Sequence, residues 1–341
     1  MYGLTINESQ VVVGESYCNV AGYIPVGKRV IVITDANILK YYGKFFLKWD
    51  VIETGIGEQN KTLDAVAGIY NRLLDCNADR NCFILAVGGG VVCDVAGFAA
   101  STFMRGIPFG FVSTSLLSQV DASIGGKNGI NFGGYKNMAG VFNQPRFVLC
   151  DTSMLQTLPE REFISGFAEI VKAAAIRNVE LFIYLEQNIE KALIRDIEVI
   201  GHLVAESVKI KANVVSRDER EHGERRILNF GHTFGHAIEV ITGVSHGEAV
   251  STGMMFAARL SVAECGFPQE HYYRLERLLA QLGLPVTTDA KPDEMLKNIL
   301  KDKKRENNDI NFVLLSDIGK AVIRKLSVEV LFARTSNYRF S

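Results

Sequence analysis

The chain carries almost no net charge: 37 Lys and Arg stand against 38 Asp and Glu, giving −1 at neutral pH. No global field draws it to nucleic acid or to an anionic membrane, so any anion must be met by a local group of cations. Paired cysteines are lacking too. Cys18, Cys76, Cys82, Cys93, Cys150 and Cys265 are scattered, with no CxxC pair and no zinc-ribbon spacing. That argues against a disulfide framework and leaves reduced core thiols. No uninterrupted apolar run approaches the ~20 residues needed to span a bilayer. The opening MYGLTINESQ has no basic segment followed by an apolar one, so a secretory signal is not expected there. A cytoplasmic location is the expectation. Internal repeats and low-complexity linkers are missing as well.

What is present is an ordinary globular composition, 48% apolar and 22% charged over 341 residues, a length that accommodates two domains. The first part alternates β-rich runs with helical patterns. Arg29–Thr34 is a continuous β-branched run of the kind buried on both faces of a parallel sheet, and Asp35 follows at its carboxyl end. Leu63, Val66, Ile69, Tyr70, Leu73 and Leu74 form one helical stripe. The run 82–87 leads through Gly88-Gly89-Gly90 into a small-residue helix over 94–102, and Phe109–Val112 begins another strand that ends in Ser113-Thr114-Ser115. This order predicts a parallel α/β sheet. Near residue 152 the pattern changes: from Pro159 to Leu282 long helical periodicities dominate. A small hairpin is expected near the end, with 311–315 and 320–324 flanking a turn at Asp317-Ile318-Gly319. The predicted architecture is a Rossmann-like α/β domain over 1–151 and a mainly helical domain over 152–341, with ligands bound in a cleft between them.

Three groups of residues carry chemistry. Glycines at 88–90, between a strand and a helix, allow close backbone approach to a phosphate at a helix N-terminus. A strict dinucleotide fingerprint would want glycine at position 93, where this chain has Cys93. Asp35 suits a ribose hydroxyl and suits a helix cap equally well. The second group is Gly231-His232-Thr233-Phe234-Gly235-His236, with His246-Gly247-Glu248 shortly after. A spacing of four puts two imidazoles on one helix face, and catalytic zinc commonly takes two His and one Glu beside an open position. Glu169 can supply the acid; with Lys172 it lies on one face of an otherwise apolar helix, an arrangement that costs free energy unless both meet partners. An internal Glu–Lys pair is the bland alternative. The third group is cationic: Arg105, Lys127, Lys136, Lys211, Arg225 and Lys303, several in glycine-rich, loop-like surroundings that suit anion binding. Taken alone, the run Arg217–Arg225 reads more commonly as a solvated charge cluster.

Taken together these motifs resemble the 3-dehydroquinate synthase family, from about Gly55 to Gly319. The resemblance rests on Gly57-Glu58 with Lys61, Gly88-Gly89-Gly90-Val91 with Asp94, the run Gln119–Lys127, Lys136-Asn137, Ala168-Glu169 with Lys172, Asn229–Thr233 with Gly235-His236, His246-Gly247-Glu248, and Asp302-Lys303-Lys304. It implies NAD held by Asp35, Asn37, Glu58, Lys61, Gly88, Gly89, Gly90, Val91, Asp94, Thr114, Ser115 and Lys136. It implies Zn²⁺ or Co²⁺ held by Glu169, His232 and His246. It implies catalytic roles for His236, Lys172, Asn229, Asp121 and Arg105, with His236 handling protons. Lys127, Asn137, Lys211, Arg225 and Lys303 then bind substrate. Arg105 would reach a neighbouring subunit's site, which implies a homodimer. The implied reaction converts 3-deoxy-D-arabino-heptulosonate 7-phosphate to 3-dehydroquinate and phosphate. Cys93 and the stretch Phe132–Tyr135 depart from the family's pattern without removing a charged or ligating group. The alternatives are a sister sugar-phosphate cyclase of the inosose or valiolone type, a metal-dependent polyol dehydrogenase, and a non-catalytic metal- and nucleotide-binding module.

Overall fold

Runs of β-branched residues ending in glycine or an acid set up the first half of the fold. The computed structural model describes residues 1–302, 309–328 and 330–331. Nine strands lie in its first half: β1 (Tyr2–Ile6), β2 (Ser9–Val13), β3 (Arg29–Asp35), β4 (Asp50–Thr54), β5 (Cys82–Gly88), β6 (Phe109–Ser113), β7 (Lys127–Phe132), β8 (Tyr135–Phe142) and β9 (Phe147–Cys150). Seven of them form one sheet in the order β1-β2-β9-β6-β5-β3-β4. Only β1 runs antiparallel to its neighbour there. β5 is buried along its whole length, as expected of a central parallel strand covered on both faces. The helices of this half are α1 (Ala36–Phe46), α2 (Leu63–Asp75) and α3 (Gly90–Thr102). Asp35 and Thr62 cap α1 and α2 by accepting the Ile38 and Ala65 N–H groups at 3.0 and 3.2 Å.

The remaining helices are α4 (Glu160–Arg177), α5 (Val179–Gln187), α6 (Ile189–Leu193), α7 (Ile197–Arg217), α8 (His232–Thr242), α9 (His246–Cys265), α10 (Gln269–Gln281) and α11 (Pro292–Asp302). A hairpin of β10 (Asp309–Asp317) and β11 (Lys320–Ser327) completes the fold. The parallel α/β sheet, the helical second half and this hairpin are all present as expected. Two compact units result: Met1–Pro159 with Ile200–Ser216, and Glu160–Val199 with Arg217–Ser341. Relative to a single break at residue 151, the first unit also takes in Thr152–Pro159 and most of α7.

One expectation is corrected. Lys127, Lys136 and Asn137 lie in no loop: Lys127 heads β7, and Lys136 and Asn137 lie in β8. The glycines around them are the turns of this two-stranded sheet. Gly125 and Gly126 precede β7 at φ +99° and +68°, and Gly133 and Gly134 turn the hairpin at +59° and +82°. Glycine takes those angles without a Cβ penalty.

Candidate active site

In the first unit, β4 and β5 lie on opposite sides of β3, so the strand order reverses between β3 and β5. The crevice at the carboxyl ends of such a pair is where open α/β sheets hold ligands. Asp35 ends β3 and Gly88 ends β5. Gly89 caps α3 and Gly90 begins it. A Cβ on Gly88 would meet the Val92 side chain at 2.5 Å, one on Gly90 the Ala122 Cβ at 3.0 Å, and one on Gly89 the Ser115 Oγ at 3.2 Å. A side chain at Gly88 would clash outright and one at Gly89 or Gly90 would be tight, so the turn into α3 is built from glycine.

Cys93 sits beneath this turn, buried, with its thiol directed to the Gly88 carbonyl at 3.7 Å. Burial raises its pKa, so it is a packing residue. Asp35 serves as the α1 cap, and Asn37 is exposed in the first turn of that helix. Thr114 follows β6 and is buried, its N–H donating to the Gly88 carbonyl at 3.0 Å.

Beside the turn a polar chain forms. The Lys61 ammonium contacts Asp94 and donates to Asn137 Oδ1 at 2.5 Å. Asn131 donates to Glu58 at 2.9 Å and accepts the Asn137 N–H at 2.9 Å. Lys136 lies 4.0 Å from Glu58. Burial raises the Asp94 pKa against the pull of Lys61. Elsewhere in this unit Lys211 donates to both the Asp121 carboxylate and the Asp121 carbonyl at 2.6 Å. Arg105 is exposed, at φ +70° directly after Met104 at +51°. Two successive non-glycine residues in that region are costly.

The second unit holds the other cluster. α4 is buried on nearly every side from Phe163 to Ile176, and Glu169 and Lys172 are each only 2% exposed. The Lys172 ammonium contacts Glu169 Oε2, yet neither Glu169 oxygen accepts a hydrogen bond of good geometry. A carboxylate buried in this way is costly unless charge or hydrogen bonds compensate it. His232 opens α8 and His246 opens α9, and the Nε2 of each lies 3.6 Å from Glu169 Oε1. Two donors held about 2.1 Å from a tetrahedral ion stand about 3.4 Å apart, so this spacing suits zinc or cobalt.

Among the described residues, Glu169, His232 and His246 are the group able to hold a metal, their ligand atoms lying within 4.8 Å of one another. His236 lies outside that group, its ring 5.4 Å from that of His232 and 6.3 Å from that of His246. Burial opposes a charge on Glu169, but Lys172 and the two imidazoles outweigh it and hold the carboxyl well below the usual range. Burial, with Lys172 nearby, pushes His232 down to about 3. His246 is raised to about 9: burial opposes its charge, and two carboxylates, Glu169 and Glu239, overcome that opposition.

Small residues make this convergence possible. A Cβ on Gly253 would lie 2.1 Å from the Gly231 carbonyl oxygen and 2.6 Å from the Gly235 nitrogen. A Cβ on Gly247 would lie 2.0 Å from the Ser165 carbonyl oxygen. Helices α4, α8 and α9 therefore meet backbone to backbone. Glu248 accepts the Ser245 N–H at 2.8 Å and takes a bidentate pair from Arg161 at 3.0 and 2.7 Å. That pair ties the start of α9 to the start of α4.

The run Arg217–Arg225 is more than a solvated surface. The Asp218 carboxylate accepts N–H groups from His222, Gly223 and Arg225 at 2.7–3.0 Å. Arg225 is buried and donates to the Glu219 carbonyl. Glu221, at φ +61°, accepts from the Asn229 side chain at 2.5 Å. Reading the run as solvated passed over Glu221. Glu239 was passed over too, although it lies on the same α8 face as His232 and His236, seven and three residues on. Lys303 lies outside the described residues.

Comparison with known proteins agrees with this geometry. A model of the 3-dehydroquinate synthase N-terminal region matches residues 51–165, and one of the C-terminal region matches 166–305. A 3-dehydroquinate synthase from Dehalococcoides mccartyi strain CBDB1 is 48% identical over 307 residues, 86% of this chain and 85% of that protein. A crystal structure of 2-deoxy-scyllo-inosose synthase with carbaglucose-6-phosphate, NAD⁺ and Co²⁺ superposes with TM-score 0.87 at 27% identity, covering 99% and 100% of the two chains. The 2-epi-5-epi-valiolone synthase of Streptomyces hygroscopicus subsp. jinggangensis 5008, with NAD⁺ and Zn²⁺ bound, gives 0.87 at 25%, covering 98% and 97%. The chain belongs to the 3-dehydroquinate synthase family.

Proposed function

We propose that the protein converts 3-deoxy-D-arabino-heptulosonate 7-phosphate to 3-dehydroquinate and phosphate, using NAD and a divalent metal. The observation that carries this reading is Glu169, a buried carboxylate without a well-formed hydrogen bond, faced by two histidine Nε2 atoms at 3.6 Å. Glu169, His232 and His246 would hold Zn²⁺ or Co²⁺. Asp35, Asn37, Glu58, Lys61, Gly88–Val91, Asp94, Thr114, Ser115 and Lys136 would hold NAD.

When bound, the metal supplies a Lewis acid for a substrate hydroxyl and NAD a transient acceptor of hydride. Lys172 places a buried positive charge where an alkoxide develops, and such charge stabilises it strongly in a site that excludes water. His236, whose ring lies near those of His232 and His246, would move a proton. Asp121 and Asn229 orient the substrate through their pairs with Lys211 and Glu221. Lys127, Asn137, Lys211, Arg225 and Lys303 meet its carboxylate and phosphate, and Arg225 offers the planar fork that suits a carboxylate. The oxidation would be transient: loss of the proton beside the new carbonyl would expel phosphate, and after reduction the opened ring would close by an intramolecular aldol step, leaving no net oxidation.

A homodimer in which Arg105 reaches the neighbouring site is part of the proposal. Its support is the exposed, left-handed backbone at Met104 and Arg105. The exposed apolar residues of the β7–β8 hairpin, Phe132, Tyr135, Met138 and Phe142, add to that support, because such patches mark interaction surfaces. The second reading, a sister cyclase acting on a sugar phosphate without a carboxylate, is favoured by the structural likeness to the inosose and valiolone synthases. Phosphate release separates the two. The heptulosonate phosphate should yield phosphate and 3-dehydroquinate with catalytic NAD⁺ and added Zn²⁺ or Co²⁺; release only from an uncarboxylated sugar phosphate would favour the second reading.

A further inference from the structure

Each candidate metal-binding histidine has two ring nitrogens, and the second is as informative as the first. His232 turns Nε2 toward Glu169 and sets Nδ1 3.2 Å from the Phe230 carbonyl oxygen. His246 turns Nε2 toward Glu169 in the same way. Its Nδ1 lies 3.7 Å from Oε2 of Glu239. The Glu239 side chain is 10% exposed, so its charge is held near the ring at a cost in hydration. A neutral imidazole can offer only one nitrogen to an ion, and the partner of the other nitrogen decides which. Glu239 also shares a helical face with His232 and His236, so α8 brings one proposed ligand, one proposed proton carrier and this carboxylate to the same place.

We propose that Glu239 is a positioning residue of the metal group, facing the Nδ1 edge of His246 so that Nε2 is the nitrogen left for the ion. It acts through His246 and touches neither metal nor substrate. Phe230 has the same part toward His232, but through its backbone, so no substitution removes it cleanly. The inference rests on the metal-site reading given above and adds one residue to it.

The test uses the full-length chain stripped of metal. Zn²⁺ affinity is read by competition with a chromophoric chelator, and the Co²⁺ visible absorption spectrum reports ligand geometry. Glu239→Ala should weaken Zn²⁺ by about 10- to 100-fold and shift the Co²⁺ bands. Glu239→Gln keeps an acceptor oxygen without the charge and should give a smaller loss. Affinity within twofold of the parent and an unchanged Co²⁺ spectrum in Glu239→Ala would overturn the proposal. If that variant does not fold, the same result in Glu239→Gln overturns it. A parent chain that takes up no metal overturns the metal-site reading as well, so the two failures are distinguishable.

Discussion

Glu169 concentrates the physics of the second unit. A carboxylate at 2% exposure with no hydrogen bond of good geometry is tolerated only beside compensating cations, and Lys172 is one. His246→Ala should abolish metal uptake and turnover together, measured as bound zinc per chain alongside phosphate release; full stoichiometry in the variant would show that His246 is not a ligand. His246, raised to about 9 in the metal-free protein, carries a proton at neutral pH that metal binding must displace. Zinc titrations at pH 7 in buffers of different ionisation enthalpy should therefore register close to one proton released from this ring. That release should diminish above pH 9, and a value near zero at pH 7 would contradict the assignment. Much of this group was legible in the sequence, because four-residue spacing on a helix is a local signal. That Glu169 joins His232 and His246, with His236 outside, came from the family resemblance and not from spacing. It depends on three helices crossing at glycines, which no periodicity reports.

At the scale of elements, the junction of α4, α8 and α9 is set by absent side chains and by one ion pair. Gly253→Ala would push a methyl group against the Gly231 carbonyl and the Gly235 nitrogen. It should cost about 3 kcal/mol by overpacking, read as a lowered denaturation midpoint with an unchanged slope. The Arg161–Glu248 pair behaves differently, since Arg161 is largely exposed. Its guanidinium and the Ser245 N–H hold the Glu248 carboxyl down to about 2, below the usual 4.5. The resulting stability is fully present above about pH 4.5 and is lost as pH falls toward 2. Glu248→Gln should cost about 1 kcal/mol at pH 7 and nearly nothing near pH 2; an equal loss at both would refute the account. The β7–β8 hairpin shows why some elements escaped the sequence reading. Its glycines give the look of a loop, while the alternation that would mark a strand is blurred by exposed Met138 and Phe142 on the outward face.

For the molecule as a whole, parallel strands ending at Asp35 and Gly88 and a helical second half were foreseeable, because long periodic segments dominate both halves. Less foreseeable was the grouping of Ile200–Ser216 with the first unit, since an amphipathic helix does not name the surface it will cover. Assembly is tested by Met138→Asp with Phe142→Asp. Light scattering coupled to gel filtration should give twice the chain mass for the parent and one chain mass for the variant, and a monomeric parent would remove the dimer from the account. The central claim is a cyclase that borrows hydride and returns it. The most direct test follows phosphate and absorbance at 340 nm together, with NAD⁺ well below the heptulosonate phosphate and Zn²⁺ or Co²⁺ present. Many phosphates released per NAD⁺, with no lasting rise at 340 nm, is the predicted result. NADH accumulating in step with substrate consumed, without phosphate, would mean a dehydrogenase and contradict it.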